Sequence, residues 1–296
     1  MAEAKLSPDE WQQLYQERRN GTPVSELAQR YNLSGKYLTT KLSVNGVVMG
    51  IAPSTKPRYD KPPKFPADCL ILCDSHIPYH DAKFINKTLA LAQSWKLPNL
   101  LLAGDVMDMA ALSFFSHKPT EILSKELEAG ESFFKSVGEM FDNILMLMGN
   151  HERRFLHYLK EQLGMKYLMR LLDERKAVVS EYSYAFVEDW LVGHPRNASV
   201  IPGRVPVFLS RKYPRCNVAS GHGHLAGMAY CEDGERLAID IGCSVDPKRL
   251  DWISENLSVR PALSQGALVL RKVGSTTYPI WLHPKTDWEA MRKMYG

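Results

Sequence analysis

Residues 69–76 read Cys-Leu-Ile-Leu-Cys-Asp-Ser-His, an apolar run that ends directly in an Asp and a His. Four later segments follow the same plan: Gly104-Asp105-Val106-Met107-Asp108, Gly149-Asn150-His151-Glu152, Gly193-His194 and Gly221-His222-Gly223-His224. Strand ends are where a rigid sheet gathers side chains from distant sequence, and oxygen and imidazole donors suit hard and borderline metal ions. The five clusters therefore predict a two-metal hydrolytic site.

Two of the clusters contain donor residues that are two positions apart. In an extended strand end such residues point to the same side, so Asp74 with His76, and His222 with His224, are each predicted to chelate one ion. Asp105 follows a glycine, which lets backbone approach a ligand closely. Because a carboxylate has two oxygens, Asp105 is predicted to bridge two cations.

In order and spacing the five clusters resemble the calcineurin-like metallophosphoesterase superfamily, whose pattern is D-x-H, GD-x-x-D, GNH-D/E, GH and GH-x-H. The resemblance covers residues 69–224 and implies an α/β fold: a two-sheet β-sandwich flanked by helices in four layers, with the metals at the carboxyl ends of the strands. It implies that one metal is held by Asp74, His76, Asp105 and His224, and the second by Asp105, Asn150, His194 and His222. It places His151 beside the metals without binding them, and Asp108 in support of the site.

The donor types also fit phosphoester hydrolysis independently of the resemblance. Two cations about 3.5–4 Å apart polarise a phosphoryl oxygen, lower the pKa of a bridging water and stabilise the charge of in-line displacement by hydroxide. The leaving alkoxide needs a proton, which His151 is predicted to donate, oriented by Asp108 or Glu152; a structural histidine at a helix start is the alternative. Manganese is the working assignment, and iron, zinc, nickel and cobalt stay open because mixed Asp, Asn and His shells accept them.

Apolar runs alternate with helical patterns over residues 68–296, the predicted metallophosphoesterase domain. The predicted strands are Cys69–Cys73, Leu100–Ala103, Ile144–Met148, Ala185–Val192, Cys216–Ser220, Gly227–Cys231, Arg236–Ile241, Ala267–Lys272 and Thr277–Leu282. Helices fit near residues 81–95, 120–141 and 152–172, while the later strands follow one another through turns. An α/β first half with a β-rich second half predicts two packed sheets flanked by helices.

Residues 1–48 form a separate predicted all-α domain. Ser7-Pro8-Asp9-Glu10 is typical of a helix start, and a short helix at 24–31, a turn and a third helix at 35–42 follow the helix-turn-helix plan. The segment resembles the helix-turn-helix heads of DNA-binding regulators and transposase-type proteins. Its recognition helix would present Lys36, Tyr37, Thr39, Thr40 and Lys41 to DNA or RNA. A helical appendage used for packing or oligomerisation is the alternative.

A proline-rich, basic linker is predicted over residues 49–67, between the two domains. Five prolines among Lys, Arg, Ser and Thr favour extended, semi-rigid backbone over packed structure. Its cations, Lys56, Arg58, Lys61 and Lys64, are placed to contact a polyanion.

The substrate is less defined than the chemistry. Met109 and Met148 stand where the resembled serine/threonine protein phosphatases carry phosphate-binding arginines, which disfavours that branch. Arg153 and Arg154 are candidate phosphate ligands, with a solvated basic helix turn as the alternative. The helical head and the basic linker favour a nucleic-acid phosphodiesterase or end-processing enzyme. A phosphomonoesterase acting on nucleotides, small molecules or phosphoproteins is the alternative, and a catalytically inactive DNA-binding regulator is a third hypothesis.

Composition sets broader limits. The 296 residues carry a formal charge of only +4 and are 45% hydrophobic, which predicts a globular protein with a sizeable core. Five cysteines without CxxC spacing favour a reducing cytoplasm. There is no signal-peptide pattern and no run of about 18 apolar residues, so neither secretion nor a membrane partner is predicted. The sequence does not predict an oligomeric state.

Overall fold

The computed structural model describes residues 6–20, 22–44, 61–113, 123–159, 164–172, 176–249 and 263–295. The chain divides into two compact units, Met1–Arg58 and Tyr59–Gly296. Most of the predicted linker, residues 49–60, lies outside the described residues. None of the described helices is long and apolar enough to cross a membrane.

In its described part, the first unit contains three helices, α1 (Pro8–Arg19), α2 (Val24–Arg30) and α3 (Gly35–Val44). The start of α1 is a capping box, because Ser7 Oγ accepts the N–H of Glu10 at 3.2 Å and the Glu10 carboxylate accepts the N–H of Ser7 at 2.7 Å. The buried leucines of the unit share one core: Leu14, Leu27, Leu33, Leu38 and Leu42. The unit is thus all-α, as its sequence predicts.

The second unit is built on two six-stranded sheets. The strands in chain order are β1 (Lys64–Phe65), β2 (Cys69–Leu72), β3 (Asn99–Leu102), β4 (Asn143–Leu147), β5 (Val178–Ser180), β6 (Tyr184–Val187), β7 (Trp190–Gly193), β8 (Asn217–Ser220), β9 (Ala226–Tyr230), β10 (Leu237–Ile241), β11 (Ala267–Val273) and β12 (Thr276–Leu282). The first sheet has the order β12-β11-β2-β3-β4-β5, and the second has the order β1-β6-β7-β8-β10-β9. Within the described residues, the α-helices of this unit are α4 (Ala82–Ser94), α5 (Leu123–Met140), α6 (Asn150–Tyr158), α7 (Met165–Leu171), α8 (Arg204–Ser210) and α9 (Trp288–Tyr295).

Side-chain alternation along the first sheet separates two cores. Leu70 and Leu72 of β2 lie in a core shared with the helices, whereas Cys69 and Ile71 lie in the core between the sheets. Parallel strands that are buried on both faces need continuous apolar runs, which is why β2 and β3 are almost entirely apolar. α8 packs against β8, β9 and β10 of the second sheet. The predicted fold class, two sheets flanked by helices, is confirmed.

Two predicted elements are wrong in their extent. The predicted strand Ala185–Val192 is two antiparallel strands, β6 and β7, because the chain turns at Glu188 with a φ of 52°. The predicted helix over 152–172 is α6 and α7, with Gly164 at the start of α7, while residues 160–163 lie outside the described part. Four elements were not predicted: β1, within the proposed linker, and β5, α8 and α9. The two strands are very short, and Pro206 within α8 weakens its helical pattern.

Candidate metal centre

The five donor-bearing segments follow the carboxyl ends of β2, β3, β4, β7 and β8. β2, β3 and β4 are parallel neighbours, so their ends meet at one edge of the first sheet, and β7 and β8 are parallel neighbours in the second. The structure brings all seven predicted metal donors together at these ends, most of them buried: Asp74, His76, Asp105, Asn150, His194, His222 and His224.

The backbone at the two predicted chelating pairs, Asp74 with His76 and His222 with His224, is not extended. The prediction that each pair converges because it lies on an extended strand end is therefore wrong. Asp74 and His76 have φ values of 50° and 47°, and His222 and His224 have values of 72° and 53°. These residues lie in the left-handed region, which His and Asp tolerate better than most residues but at an energetic cost. The pairs converge through tight left-handed loops after the strands end, not through strand alternation.

Three residues form the first donor group: Asp74, His76 and His224. His224 Nε2 lies 3.0 Å from Asp74 Oδ1 and 3.1 Å from His76 Nε2. The Asp74 carboxylate also accepts the backbone N–H of His222 at 2.9 Å, which ties the loop after β8 to the loop after β2. The first donor group therefore joins ends of both sheets.

Asp105, His194 and His222 form the second donor group. His194 Nε2 lies 3.2 Å from Asp105 Oδ2 and 3.1 Å from the amide oxygen of Asn150. The other oxygen of Asp105 accepts the backbone N–H of His151 at 2.8 Å. The backbone N–H of His222 bonds to Asp74 of the first donor group, so the two groups are adjacent.

Two glycines allow these carboxylates to approach the backbone. A Cβ on Gly149 would lie 2.1 Å from Asp105 Oδ1 and 2.3 Å from the Asp105 backbone nitrogen. A Cβ on Gly221 would lie 2.5 Å from Asp74 Oδ2. Real Cβ atoms do not come this close to other heavy atoms, so each donor group depends on a glycine in a neighbouring loop.

Asp108 connects a metal donor to the predicted general acid. Nδ1 of His76 donates to Asp108 Oδ1 at 2.7 Å, and Nδ1 of His151 lies 2.7 Å from the Asp108 carbonyl oxygen and 3.1 Å from Oδ1. Arg154 donates to the same carbonyl oxygen at 2.9 Å, and its Nη2 lies 3.2 Å from Nε2 of His151. We call His76, Asp108 and His151 the Asp108 bridge.

Glu152 does not orient His151, which corrects one of the two predicted alternatives. Its buried carboxylate accepts the backbone N–H groups of Asp105 at 3.0 Å, Val106 at 2.7 Å, Met107 at 3.0 Å and Gly149 at 2.9 Å. It therefore shapes the Asp105 loop and caps α6. The Gly-x-x-Glu spacing at a helix start was the sequence signal for this role, because it is the spacing of a capping box.

Opposite charges in and between the two donor groups shift the pKa values of their carboxylates and imidazoles. Burial alone would raise the pKa of Asp74, but the imidazoles of His224 and His194 outweigh it and lower that pKa to about 2. Burial also opposes the ionised form of Asp105, yet His194 and His151 hold its pKa well below the usual range. Although burial favours its neutral form, His194 has a pKa raised to about 10 by Asp105. Two buried carboxylates thus require neighbouring positive charge.

The donor set fits divalent metal ions. Nδ1 of His76 bonds to Asp108 and Nδ1 of His194 lies 3.1 Å from the carbonyl oxygen of Ala103, which leaves Nε2 of each ring facing the carboxylates. This is the arrangement in which a metal-binding imidazole donates its other N–H to an outer acceptor. A divalent ion would replace the protons that the carboxylates now hold on the imidazoles.

The other predicted site residues are placed as follows. Arg154 contacts the Asp108 bridge, and Arg153 is half-buried on the same helix, α6. Met109 and Met148 are buried, and neither side chain carries a charge that could bind a phosphate. On α3, Lys36, Thr39, Thr40 and Lys41 are exposed, while Tyr37 is partly buried with its ring 6.4 Å from that of Trp11.

No protein-family model matches the sequence, and the comparison with curated proteins gives no match. Among solved structures the chain is similar to Vacuolar Protein Sorting 29 from Cryptosporidium parvum, with 12% identity, a TM-score of 0.34, and coverage of 72% of this chain and 95% of that one. It is also similar to Vps29 of Chaetomium thermophilum, with 9% identity, a TM-score of 0.37, and coverage of 74% and 96%. Structural similarity at this level gives no information about activity, so an activity can be inferred only from the residues of the site.

Proposed function

We propose that the protein is a phosphoric ester hydrolase that uses two divalent metal ions, as in the superfamily that its motifs resemble. The observation that carries the proposal is the adjacency of the two largely buried donor groups, which the His222 N–H joins at Asp74; in each group the three donor atoms lie within 4.8 Å of one another. Such ions supply Lewis acidity that activates water and stabilises charge on a phosphoryl oxygen. Manganese is the proposed ion.

The chain's own residues would divide the remaining work. The first donor group would hold one ion and the second, with Asn150, the other, while Asp105 is the proposed bridge. His151 would protonate the leaving oxygen, because it sits beside both groups and is held through Nδ1 by Asp108. Burial lowers the pKa of His151, but Asp105 and Asp108 raise it above its ordinary value, which favours a protonated acid. Arg154 would bind a phosphate oxygen.

Hydrolysis of bis-p-nitrophenyl phosphate with manganese tests the proposal. We expect Asp105→Asn and His224→Ala each to lower kcat about 100-fold or more, because each removes a metal donor. The matched controls are Asp142→Asn and His157→Ala, which change exposed residues of the same types outside the centre. Equal rates for Asp105→Asn and its parent would refute the metal assignment. No turnover by the parent with any of the five candidate metals, on mono- or diester, would refute the hydrolase.

Nucleic acid is the proposed substrate class, and a phosphomonoesterase remains the alternative. The support is the exposed face of α3, where Lys36, Thr39 and Thr40 present cationic and hydroxyl groups and no helix residue is acidic. All four acidic residues among residues 6–44 lie on α1 and α2. Such a face suits phosphate and base-edge contacts.

A charge-matched pair of variants tests docking by the first unit. Lys36→Gln removes one charge from the exposed face of α3, and Gln12→Glu makes the same change in net charge on α1. We expect only Lys36→Gln to weaken binding of duplex DNA and to reduce the salt dependence by about one phosphate contact. Equal effects of the two variants would show that α3 does not dock.

A further inference from the structure

A long acid-free segment connects three of the donors. Between Trp190 and Cys231 the chain has no Asp or Glu, whereas the average density of 33 acids in 296 residues would place about four there. The same segment carries five cations, all exposed: Arg196, Arg204, Arg211, Lys212 and Arg215. It runs from β7 through α8 and β8 into β9, and it contains the donors His194, His222 and His224.

An aromatic ring lies between two of these cations. Phe208 on α8 is 44% exposed, which is unusual for a phenylalanine that could pack against a sheet. The guanidinium carbons of Arg204 and Arg211 lie 5.3 and 4.6 Å from its ring centroid. Arg211 also pairs with Glu232, which directly follows the acid-free segment. We call Arg204, Phe208 and Arg211 the α8 surface.

The α8 surface is tied to the strand end that bears two donors. Gly203, directly before α8, has a φ of 78° and donates its N–H to Asp240 Oδ2 at 2.6 Å. Asp240 also accepts the hydroxyl of Ser220 at 3.0 Å, and Ser220 precedes the loop of His222 and His224. The start of α8, with Arg204, is thus held at the edge of the sheet where the donors lie.

We infer that the α8 surface binds single-stranded nucleic acid that extends from the phosphoester in the metal centre; this deepens the proposed function and rests on it. Arginines would pair with backbone phosphates, and an unpaired base would stack on Phe208. An exposed ring flanked by guanidinium groups suits a base, because every base has a flat apolar face. The acid-free segment adds charge complementarity to a polyanion.

A small phosphomonoester bound in the metal centre would not contact the α8 surface, because such an ester does not extend beyond the metal centre. An anionic membrane is the main competing partner, because Val200 and Ile201 are each 49% exposed on the loop before α8. Nucleic acid fits better, because α8 begins at the sheet edge where the site proposed to bind phosphodiesters lies.

Fluorescence anisotropy with labelled oligothymidylate of about 20 nucleotides tests the inference. The full chain carries Asp105→Asn, so that the strand is not cut. We expect Phe208→Ala to raise Kd about tenfold without changing the salt dependence, because stacking releases no counterions. Arg204→Gln should also raise Kd and reduce the slope of log K against log salt by about 0.7, the loss of one single-strand phosphate contact.

Tyr278→Ala and Lys285→Gln are the matched controls, because both residues are exposed at or just beyond β12 of the other sheet. We expect neither to change Kd. An unchanged Kd for Phe208→Ala, or an equal loss in Tyr278→Ala, would overturn the inference. Phe208-dependent binding to phosphatidylglycerol vesicles with no binding to the oligonucleotide would also overturn it, in favour of a membrane.

A second readout separates this inference from the proposed function. Without Asp105→Asn, Phe208→Ala should hydrolyse bis-p-nitrophenyl phosphate at the parent rate, because that ester does not reach α8. A parent that hydrolyses no ester would refute the proposed function, while the anisotropy titration would still decide whether the α8 surface binds a strand.

Discussion

The carboxylate of Asp108 lies 2.7 Å from Nδ1 of His76. Because Nδ1 donates to this carboxylate, the lone pair of His76 is on Nε2, which faces His224 and Asp74. Asp108 also contacts His151, so one carboxylate orients a proposed metal donor and the proposed general acid. We expect Asp108→Asn to lower metal affinity about 10- to 100-fold and to reduce turnover at saturating metal.

Chelator competition measures the affinity, and turnover is compared at metal concentrations above the new Kd. Asp142→Asn is the control, because Asp142 is exposed at the opposite end of β4 from the donor Asn150. Unaltered metal affinity in Asp108→Asn would show that the Asp108 bridge has no influence on His76.

The two glycines of the loop before His224, Gly221 and Gly223, should differ sharply in their tolerance of substitution by alanine. A Cβ on Gly221 would meet Asp74 Oδ2 at 2.5 Å and Cys73 Cβ at 2.9 Å, whereas a Cβ on Gly223 would meet only the nitrogen of Leu225 at 3.9 Å. We expect Gly221→Ala to lose metal binding and about 2–4 kcal/mol of unfolding free energy, because buried atoms must shift. Gly223→Ala should retain both. Metal titration and urea unfolding test the pair, and similar behaviour of the two variants would contradict the close packing at Gly221.

Removing the charge of Glu152 should destabilise the Asp105 loop. In Glu152→Gln, one acceptor oxygen becomes an NH2 group facing backbone N–H donors, so buried donors lose their partner. We expect a loss of about 3–5 kcal/mol in unfolding free energy, measured in urea. Glu139→Gln, which changes an exposed carboxylate on α5, should be close to neutral. A loss below about 1 kcal/mol would mean that water replaces these hydrogen bonds.

Proton donation by His151 predicts a dependence on the leaving group. His151→Ala should keep both metals, because no metal donor is removed, and should lose about 100-fold or more in kcat on alkyl phosphate esters. The loss on p-nitrophenyl esters should be much smaller, since that leaving group needs little protonation. His157→Ala on the same helix, α6, is the control. Equal losses on both ester types would remove the role of general acid, and loss of metal would make His151 a donor.

Glu126 should make stability depend on pH. Burial, then Asp108, raises its pKa to about 7 from the ordinary value of 4.5, although Oε1 accepts the N–H of Ala110 at 2.9 Å. Because the folded-state pKa is the higher one, the contribution of Glu126 is complete below pH 4.5 and is lost as pH rises through 7. Relative to Glu126→Gln, the parent should lose about 1–3 kcal/mol over this window. Denaturant unfolding at several pH values tests this, with exposed Glu128→Gln as the control; a parallel profile for Glu126→Gln would contradict it.

The donor residues were predictable because each lies directly after an apolar run, and runs such as Cys69–Leu72 form strands of a buried sheet. The turn at Glu188 was not predictable, because Glu adopts the left-handed backbone conformation there although it is not a typical turn residue. The carboxylate contacts of Glu152 were missed for another reason. They depend on the loop at Asp105, which lies 47 positions away in the chain.

Sequence alone determined the chemistry available to this protein: a set of Asp, His and Asn side chains at strand ends, and an acid-free stretch from Trp190 to Cys231. It did so because strand formation and charge content are local properties of the chain. Only the tertiary structure decided the pairing of Asp74 with His224, the connection of His76 to Asp108, and the position of Phe208 between two arginines. The first two join residues from separate loops, and the third depends on how α8 is held on its sheet. Such contacts are specified by close packing of distant segments, which no local pattern encodes.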